Sequence, residues 1–269
     1  MKSGDSIYVN ELKEIQLDIL SAVDEFCRNN NIRYTMSCGT LLGAVRHRGY
    51  IPWDDDIDTF MLREDYNQFI KLFPELYQGK YSLSCIERVD VDRVYASVYD
   101  TRTIKYEGNA TKSSVGIFID VFPVDDVPDD NKEWLCYKRK LYFFSWLRNI
   151  KFLKWSDNRG GGKNIFLYIC KLLIIPIPFK WILKHMNVYA QKNNGKGYHM
   201  VYETCYGIGY ERPFKKEYFD DIIDYPFEDR IFKGFKNADE YLTNTFGDYM
   251  QYPPEDERVS THVYRAYWK

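Results

Sequence analysis

The chain has no excess of charge of either sign: 37 lysines and arginines stand against 39 aspartates and glutamates, a formal charge of −2. Non-specific nucleic-acid binding needs a basic surface that releases condensed counterions. The balance therefore excludes that class, while leaving room for one anionic ligand in a local pocket. Cysteines are few, and no two of Cys27, Cys38, Cys85, Cys136, Cys170 and Cys205 lie within ten residues of each other. That spacing excludes a Cys-x-x-Cys redox pair and the usual zinc ligand patterns. The opening MKSGDSIYVNELKE lacks the apolar core of a signal peptide, and the expectation is a cytoplasmic chain with free thiols.

An unbroken membrane-spanning run is also missing. Residues 165–183, IFLYICKLLIIPIPFKWIL, are strongly apolar, yet Lys171, Pro176, Pro178 and Lys180 interrupt them and Lys163 and Lys184 flank them. A spanning helix needs about 20 uninterrupted apolar residues. The pattern reads as two short helices meeting at a proline break. They are either buried beneath a catalytic domain or lie partly in the membrane interface, a peripheral contact on the inner face of the membrane.

Aromatic residues, by contrast, are plentiful, with 24 Tyr, 17 Phe and 6 Trp making up 17% of the chain. Rings mostly serve packing, but the same chemistry builds sugar-stacking and quaternary-ammonium sites, and composition does not choose between them. With 45% hydrophobic and 28% charged residues over 269 positions, the chain matches one large globular domain, or a catalytic domain with a helical companion.

Periodicity orders the first part. Leu12, Ile15, Ile19, Val23 and Phe26 recur at steps of three and four, predicting a helix over 11–28. NIRYTMSCG alternates and ends at Gly39, predicting a short strand, and TLLGAVRHR predicts a helix closed by Gly49 and Pro52. Further strands are expected at about 56–62, 81–86, 93–100, 101–107 and 116–125, with a helix over 65–73 stopped by Pro74. Mixed strands and helices indicate an α/β or α+β core. Beyond about 130 a long helical pattern begins, and the remainder to about 250 reads as mostly helical, with no internal repeat. The expected division is 1–129 as a sheet-based catalytic core and 130–269 as a helix-rich region packed on it and completing the site.

The informative segment is SCGTLLGAVRHRGYIPWDDDID, residues 37–58. If 56–62 is a strand, Asp56 and Asp58 project from one face, roughly 6.6–6.8 Å apart along it. Carboxylates so close repel unless a cation neutralises them, and Mg²⁺ takes one or two carboxylates together with substrate phosphates and water. Asp54 and Asp55 read equally well as a solvated turn. Ser37-Cys38-Gly39-Thr40 leads from a strand directly into a helix, where glycine lets a phosphate approach free backbone N–H groups and Thr40 adds a hydroxyl. Asp120, inside the apolar run GIFIDVFPV, is out of place unless bound to something, which makes it the candidate third carboxylate. Arg46, His47 and Arg48 end the motif helix and either contact phosphate or complement that helix's negative C-terminus. Arg102 and Thr103 either touch phosphate or close a turn, and His262 either approaches the site or is structural.

The run GTLLGAVRHRGYIPWDDDID resembles the signature of the LicD family, relatives of fukutin and the fukutin-related protein. Arg63, Asp65-Tyr66, IDVFPVD at 119–125 and the closing FGDYMQYPPEDERVSTHVYRAYWK extend the resemblance over roughly residues 30–269. It implies a nucleotidyltransferase fold, a mixed sheet with flanking helices and a helix-rich C-terminal half. It also implies transfer of a substituted phosphate from a CDP-linked donor to a glycan hydroxyl. In bacteria the typical donor is CDP-choline, and phosphocholine is placed on a teichoic acid, a lipooligosaccharide or a related sugar, so the acceptor is a glycan that is in some cases lipid-linked. The family's metal ligands fall on Asp56, Asp58 and Asp120, with Mg²⁺ as the expected ion and Mn²⁺ as an alternative. Gly39 and Thr40 orient the donor phosphates, and Thr40 stands where Gly or Ser is commoner in the wider fold. A choline site needs rings, for which Tyr50, Trp53, Tyr210 and Trp268 are candidates. Rival readings are transfer of another polyol phosphate such as ribitol or glycerol phosphate, nucleotidyl transfer with release of pyrophosphate, and a non-catalytic glycan-binding module.

Overall fold

The computed structural model describes residues 4–76, 79–86, 94–107, 115–156, 159–205, 212–260 and 264–269. Strand β1 (Ser6–Ile7) leads into helix α1 (Val9–Asn29), which buries the five apolar residues of its stripe together with Gln16. The motif segment forms β2 (Thr35–Met36), α2 (Cys38–His47) and β3 (Asp58–Leu62), followed by α3 (Arg63–Leu76). Next come β4 (Tyr81–Ser84), β5 (Ala96–Asp100), β6 (Thr103–Glu107) and β7 (Phe118–Val127). Three helices follow, α4 (Asn131–Lys151), α5 (Gly161–Ile174) and α6 (Phe179–Ala190). The chain then returns through β8 (Met200–Glu203), β9 (Phe214–Lys215), the hairpin β10 (Ile222–Phe227) and β11 (Arg230–Phe235), α7 (Ala238–Phe246) and β12 (Tyr264–Trp268).

The central sheet has seven strands. Five run in the order β2-β3-β7-β5-β4, and β8 and β9 extend from the far half of the long strand β7. The β3–β7 pair is parallel and its neighbours are antiparallel, so the sheet is mixed and the architecture is α+β. A smaller sheet β1-β12-β6 joins the chain's beginning to its end.

Three local expectations are corrected. The stretch after α6 holds four strands rather than continuing as helix, because β8 finds a backbone partner on β7, β9 pairs with β8, and β10 and β11 pair with each other, and tertiary pairing overrides local pattern. Helix α3 passes Pro74 and ends at Leu76, the proline falling in its last turn, where the lost N–H costs one hydrogen bond. Strand β3 begins at Asp58 rather than 56, although Asp120 N–H donates to Ile57 O at 2.9 Å and carries the ladder one residue further. The expected proline break is present: α5 and Phe179–Asn193 meet at 91°. Only Asn164 and Ile174 of α5 are buried, so that helix is not enclosed beneath the sheet. No single described helix is long and apolar enough to cross a membrane.

The helical region is tied to the sheet through one buried ion pair. Arg63, at the start of α3, donates from Nε and Nη2 to both oxygens of Asp125 at 2.7 and 2.6 Å. Its Nη1 reaches Asn187 on α6 at 3.2 Å. Thr204 and Asn194 also donate to Asp125, at 2.5 and 2.6 Å. The second aspartate of IDVFPVD is thus a fully paired structural anion. Removing one partner of such a pair strands a buried charge, so Asp125→Ala should lower the unfolding free energy by about 3–5 kcal/mol, as read by urea denaturation.

Candidate active site

Parallel pairing of β3 with β7 places Asp58 opposite Asp120. Both lie at the start of their strands, where the side chains are only partly covered. On the other side of β7, Ser97 of β5 is in register with Asp120 and its Oγ donates to Asp120 Oδ1 at 2.5 Å. Thr59 Oγ1 donates to the Asp120 carbonyl at 3.0 Å. Thr40, buried on α2, accepts the Asp58 N–H on its hydroxyl at 2.9 Å, while Ser37 N–H donates to Asp58 O at 3.0 Å. Both ends of the α2 entry turn are therefore fastened to the strand that carries Asp58. The turn itself is strained: Cys38 has φ 47°, a left-handed conformation uncommon outside glycine, and Cys38 N–H reaches Tyr241 Oη at 3.4 Å.

A buried glutamine sets the spacing of the acidic segment. Gln16 Nε2 donates to Asp55 O at 3.1 Å and to Phe118 O at 3.2 Å. One side chain thus bridges the two stretches that lead into Asp58 and Asp120. Asp55 is itself buried, with Ser260 Oγ 3.4 Å from its Oδ2. Asp54 and Asp56 form a hydrogen-bonded carboxyl pair. Burial first, and the Asp56 charge second, push the Asp54 carboxyl up to about 7. The Asp54 carboxylate also occupies the expected phosphate cradle, since a Cβ at Gly39 would stand 2.7 Å from Asp54 Oδ2. An anion at that helix entrance is favoured by the dipole of α2. Lys13 approaches the same acids, and burial holds its ammonium below the usual lysine range despite the attraction of Asp54 and Asp55.

The structure thus gathers Gly39, Thr40, Asp54, Asp56, Asp58 and Asp120 at one end of the sheet. Among the described residues, no three His, Cys, Asp or Glu side chains stand together as a complete ligand set for an ion. Asp58 and Asp120 are the two brought side by side, while Asp56 is turned toward Asp54.

Arg46, His47 and Arg48 lie at the opposite end of α2. Arg46 donates to the carbonyls of Tyr249 and Gln251, at 2.5 and 3.4 Å, and from Nε to His47 Nε2 at 2.9 Å. His47 is held below its ordinary pKa by burial and then by Arg46. Arg48 caps α2 at φ 58° and is exposed, its carbonyl accepting Glu228 N–H at 2.8 Å. Arg102 and Thr103 close the β5–β6 turn: Arg102 pairs with Asp100 at 2.5 Å, and Thr103 Oγ1 donates to Asp100 O at 2.9 Å. Of the candidate rings, Tyr50 is buried against Phe227 with centroids 5.1 Å apart, and Trp268 donates Nε1–H to Glu11 at 3.1 Å. Trp53 alone among the described candidates adjoins the acidic segment with a half-buried ring, facing His47 and Tyr252. Tyr210 and His262 lie outside the described residues.

Sequence reasoning missed Gln16 and Ser97. Each is a polar residue on an otherwise buried face, Gln16 on the stripe of α1 and Ser97 within ASVYD, and that misplacement was the available signal.

The chain is thus an α+β protein with two carboxylates in register on its central parallel strands, and comparison with known proteins adds its family. A family model described as "LicD/FKTN/FKRP, nucleotidyltransferase domain" matches residues 31–158. The "Lipopolysaccharide cholinephosphotransferase LicD" of Haemophilus influenzae is 32% identical over 276 aligned residues, covering 95% of this chain and 97% of that protein. The chain belongs to the LicD family. Shorter matches occur to uncharacterized proteins of Rickettsia typhi, 40% identical over 28% of this chain and 25% of that protein, and Rickettsia prowazekii, 41% identical over 24% and 25%.

The two motif glycines make different demands. A Cβ at Gly43 would meet the Gly49 carbonyl oxygen at 2.4 Å, a backbone atom, whereas at Gly39 it meets the movable end of Asp54. Gly43→Ala should therefore cost about 1–3 kcal/mol of stability, and Gly39→Ala less than half as much, as compared by urea melts.

Proposed function

We propose that the chain transfers phosphocholine from CDP-choline to a hydroxyl of a cell-surface glycan, at the cytoplasmic face of the membrane. The near full-length relationship to a cholinephosphotransferase supports the substrate class. The single geometric observation behind the chemistry is Asp58 standing in register with Asp120.

The donor set suits a divalent cation. Mg²⁺ takes one or two carboxylates and completes its shell with water and substrate phosphate oxygens. Asp58 and Asp120 offer that pair, and Asp56, the third carboxylate of the expected set, would join them only by leaving Asp54. Mn²⁺ accepts the same oxygen donors. When bound, the ion offsets negative charge on the donor's two phosphates and on the departing CMP.

The remaining work falls to the chain. Gly39 and Thr40 border the phosphate position, and Asp54 gives way there to the donor. The acceptor oxygen forms a bond to the distal phosphorus while the phosphorus–oxygen bond to CMP breaks, CMP keeping the electron pair. The acceptor's proton passes to a neighbouring carboxylate. Ser97 holds Asp120 in its rotamer. In this reading 1–129 is the catalytic core and 130–269 completes the site, through Tyr241 behind the α2 entry turn and Ser260 against Asp55.

Asp58→Asn should preserve the melting temperature while Mg²⁺-dependent release of CMP from CDP-choline falls at least about 10²-fold. Undiminished turnover would defeat the assignment, and pyrophosphate as the product would mark nucleotidyl transfer instead. Ser97→Ala should raise the Mg²⁺ concentration for half-maximal rate about 10–100-fold, with Ser97→Thr restoring it. A purely structural role for Ser97 would shift the melt and leave that concentration in place.

A further inference from the structure

Helix α5 is apolar on two faces. Its inner face packs Leu167, Cys170 and Ile174 against Leu147 and Ile150 of α4. Two lysines secure the arrangement by donating to backbone carbonyls: Lys171 to Leu153 O at 2.8 Å and Lys151 to Ile175 O at 3.0 Å. The outer face carries Ile165, Phe166, Ile169, Leu172 and Leu173, each 51–73% exposed. Their spacing follows one side of a 3.6-residue helix. An apolar patch of that kind marks a binding surface rather than an ordinary exterior.

Its surroundings identify the occupant. Residues 131–192 hold 13 lysines and arginines against two carboxylates, Glu133 and Asp157, a local excess of 11 in a chain whose total is −2. Trp146, Trp155 and Trp181 are exposed in the same region, at 38%, 54% and 45%, and tryptophan is favoured at the headgroup level of a bilayer. An apolar face rimmed by rings and cations is the pattern of a helix lying in the interface of an anionic membrane. A second copy of the chain fits less well, because a two-fold contact would bring two such basic surfaces together.

We infer that the α4–α5–α6 unit docks the protein on a membrane rich in anionic phospholipid, with the outer face of α5 set among the acyl chains. The contact is peripheral. Ile182, Leu183 and Met186 of α6 are wholly buried in the protein, and Asn187 accepts a hydrogen bond from Arg63, so α6 stays with the sheet and cannot pair with α5 to span. The inference is independent of the catalytic reading.

Sedimentation of the full chain with vesicles tests it. Binding to phosphatidylcholine mixed about equally with phosphatidylglycerol should be at least about tenfold tighter than to phosphatidylcholine alone, should weaken in high salt and should blue-shift tryptophan emission. Phe166→Ser with Leu173→Ser should abolish binding without lowering the melting temperature. Lys163→Glu with Lys184→Glu, a second variant on exposed positions, should weaken it about fivefold or more per site. Asp58→Asn should bind as the parent does, whatever its turnover. Wild-type protein that stays in the supernatant with both vesicle types overturns the inference. So does binding that survives both paired substitutions, or a dimer that the Phe166/Leu173 variant dissociates in the absence of any vesicle binding.

Discussion

Two aspartates that are 62 positions apart in the chain face each other because strands β3 and β7 run parallel in a single register. Everything else at the site serves that register. Gln16 bridges the backbones just upstream of both residues, Thr40 and Ser37 fasten the strand of Asp58 to the turn entering α2, and Ser97 holds the Asp120 carboxylate from the opposite side. Like charges so placed repel, and the structure keeps them together by burying the strands beneath. Phe60 and Phe122, two residues beyond each aspartate, meet edge to face at 6.2 Å. A slip of one residue would turn both carboxylates to the other face of the sheet.

The same sheet carries a second anion with the opposite purpose. Asp125, five residues beyond Asp120 on β7, is wholly buried and saturated by Arg63, Thr204 and Asn194. Asp120 stands near the other end of the strand, half-buried, in register with Asp58 and accepting from Ser97. One strand thus carries a wholly buried anion that organises the fold and a partly exposed one that faces another carboxylate, and the difference between them is burial. Charge is divided on a larger scale too: the acidic segment gathers at the strand ends, while α4–α6 carry the basic and apolar excess. The two surfaces therefore suit different partners.

Much of this was legible in the residues. Apolar periodicity located α1, a long helical pattern located α4, and an apolar run broken by prolines located the pair α5 and α6. Extended stretches located β5, β6 and β7, and the DDDID run marked where the acids would cluster. The strands after residue 200 were not legible, because β8 and β9 are short and are stabilised by pairing, β8 with β7 and β9 with β8, rather than by any pattern of their own. The residues alone leave open whether Arg46 and His47 contact phosphate or complement the C-terminus of their helix. Helix geometry carries them about 10 Å along α2 from Gly39, to where Arg46 donates to the carbonyls of the 249–251 loop and to His47.

The residues by themselves determined which local segments are helical or extended, and that several carboxylates and a glycine turn share one short stretch. Those properties depend on neighbours three or four positions away. Only the tertiary structure decided that Asp58 meets Asp120, that Asp56 turns to Asp54, that Ser97 and Gln16 support the pair, and that one face of α5 remains uncovered. These outcomes depend on strand register and helix docking between residues as far apart as 16 and 118, and no local propensity encodes contacts at that separation.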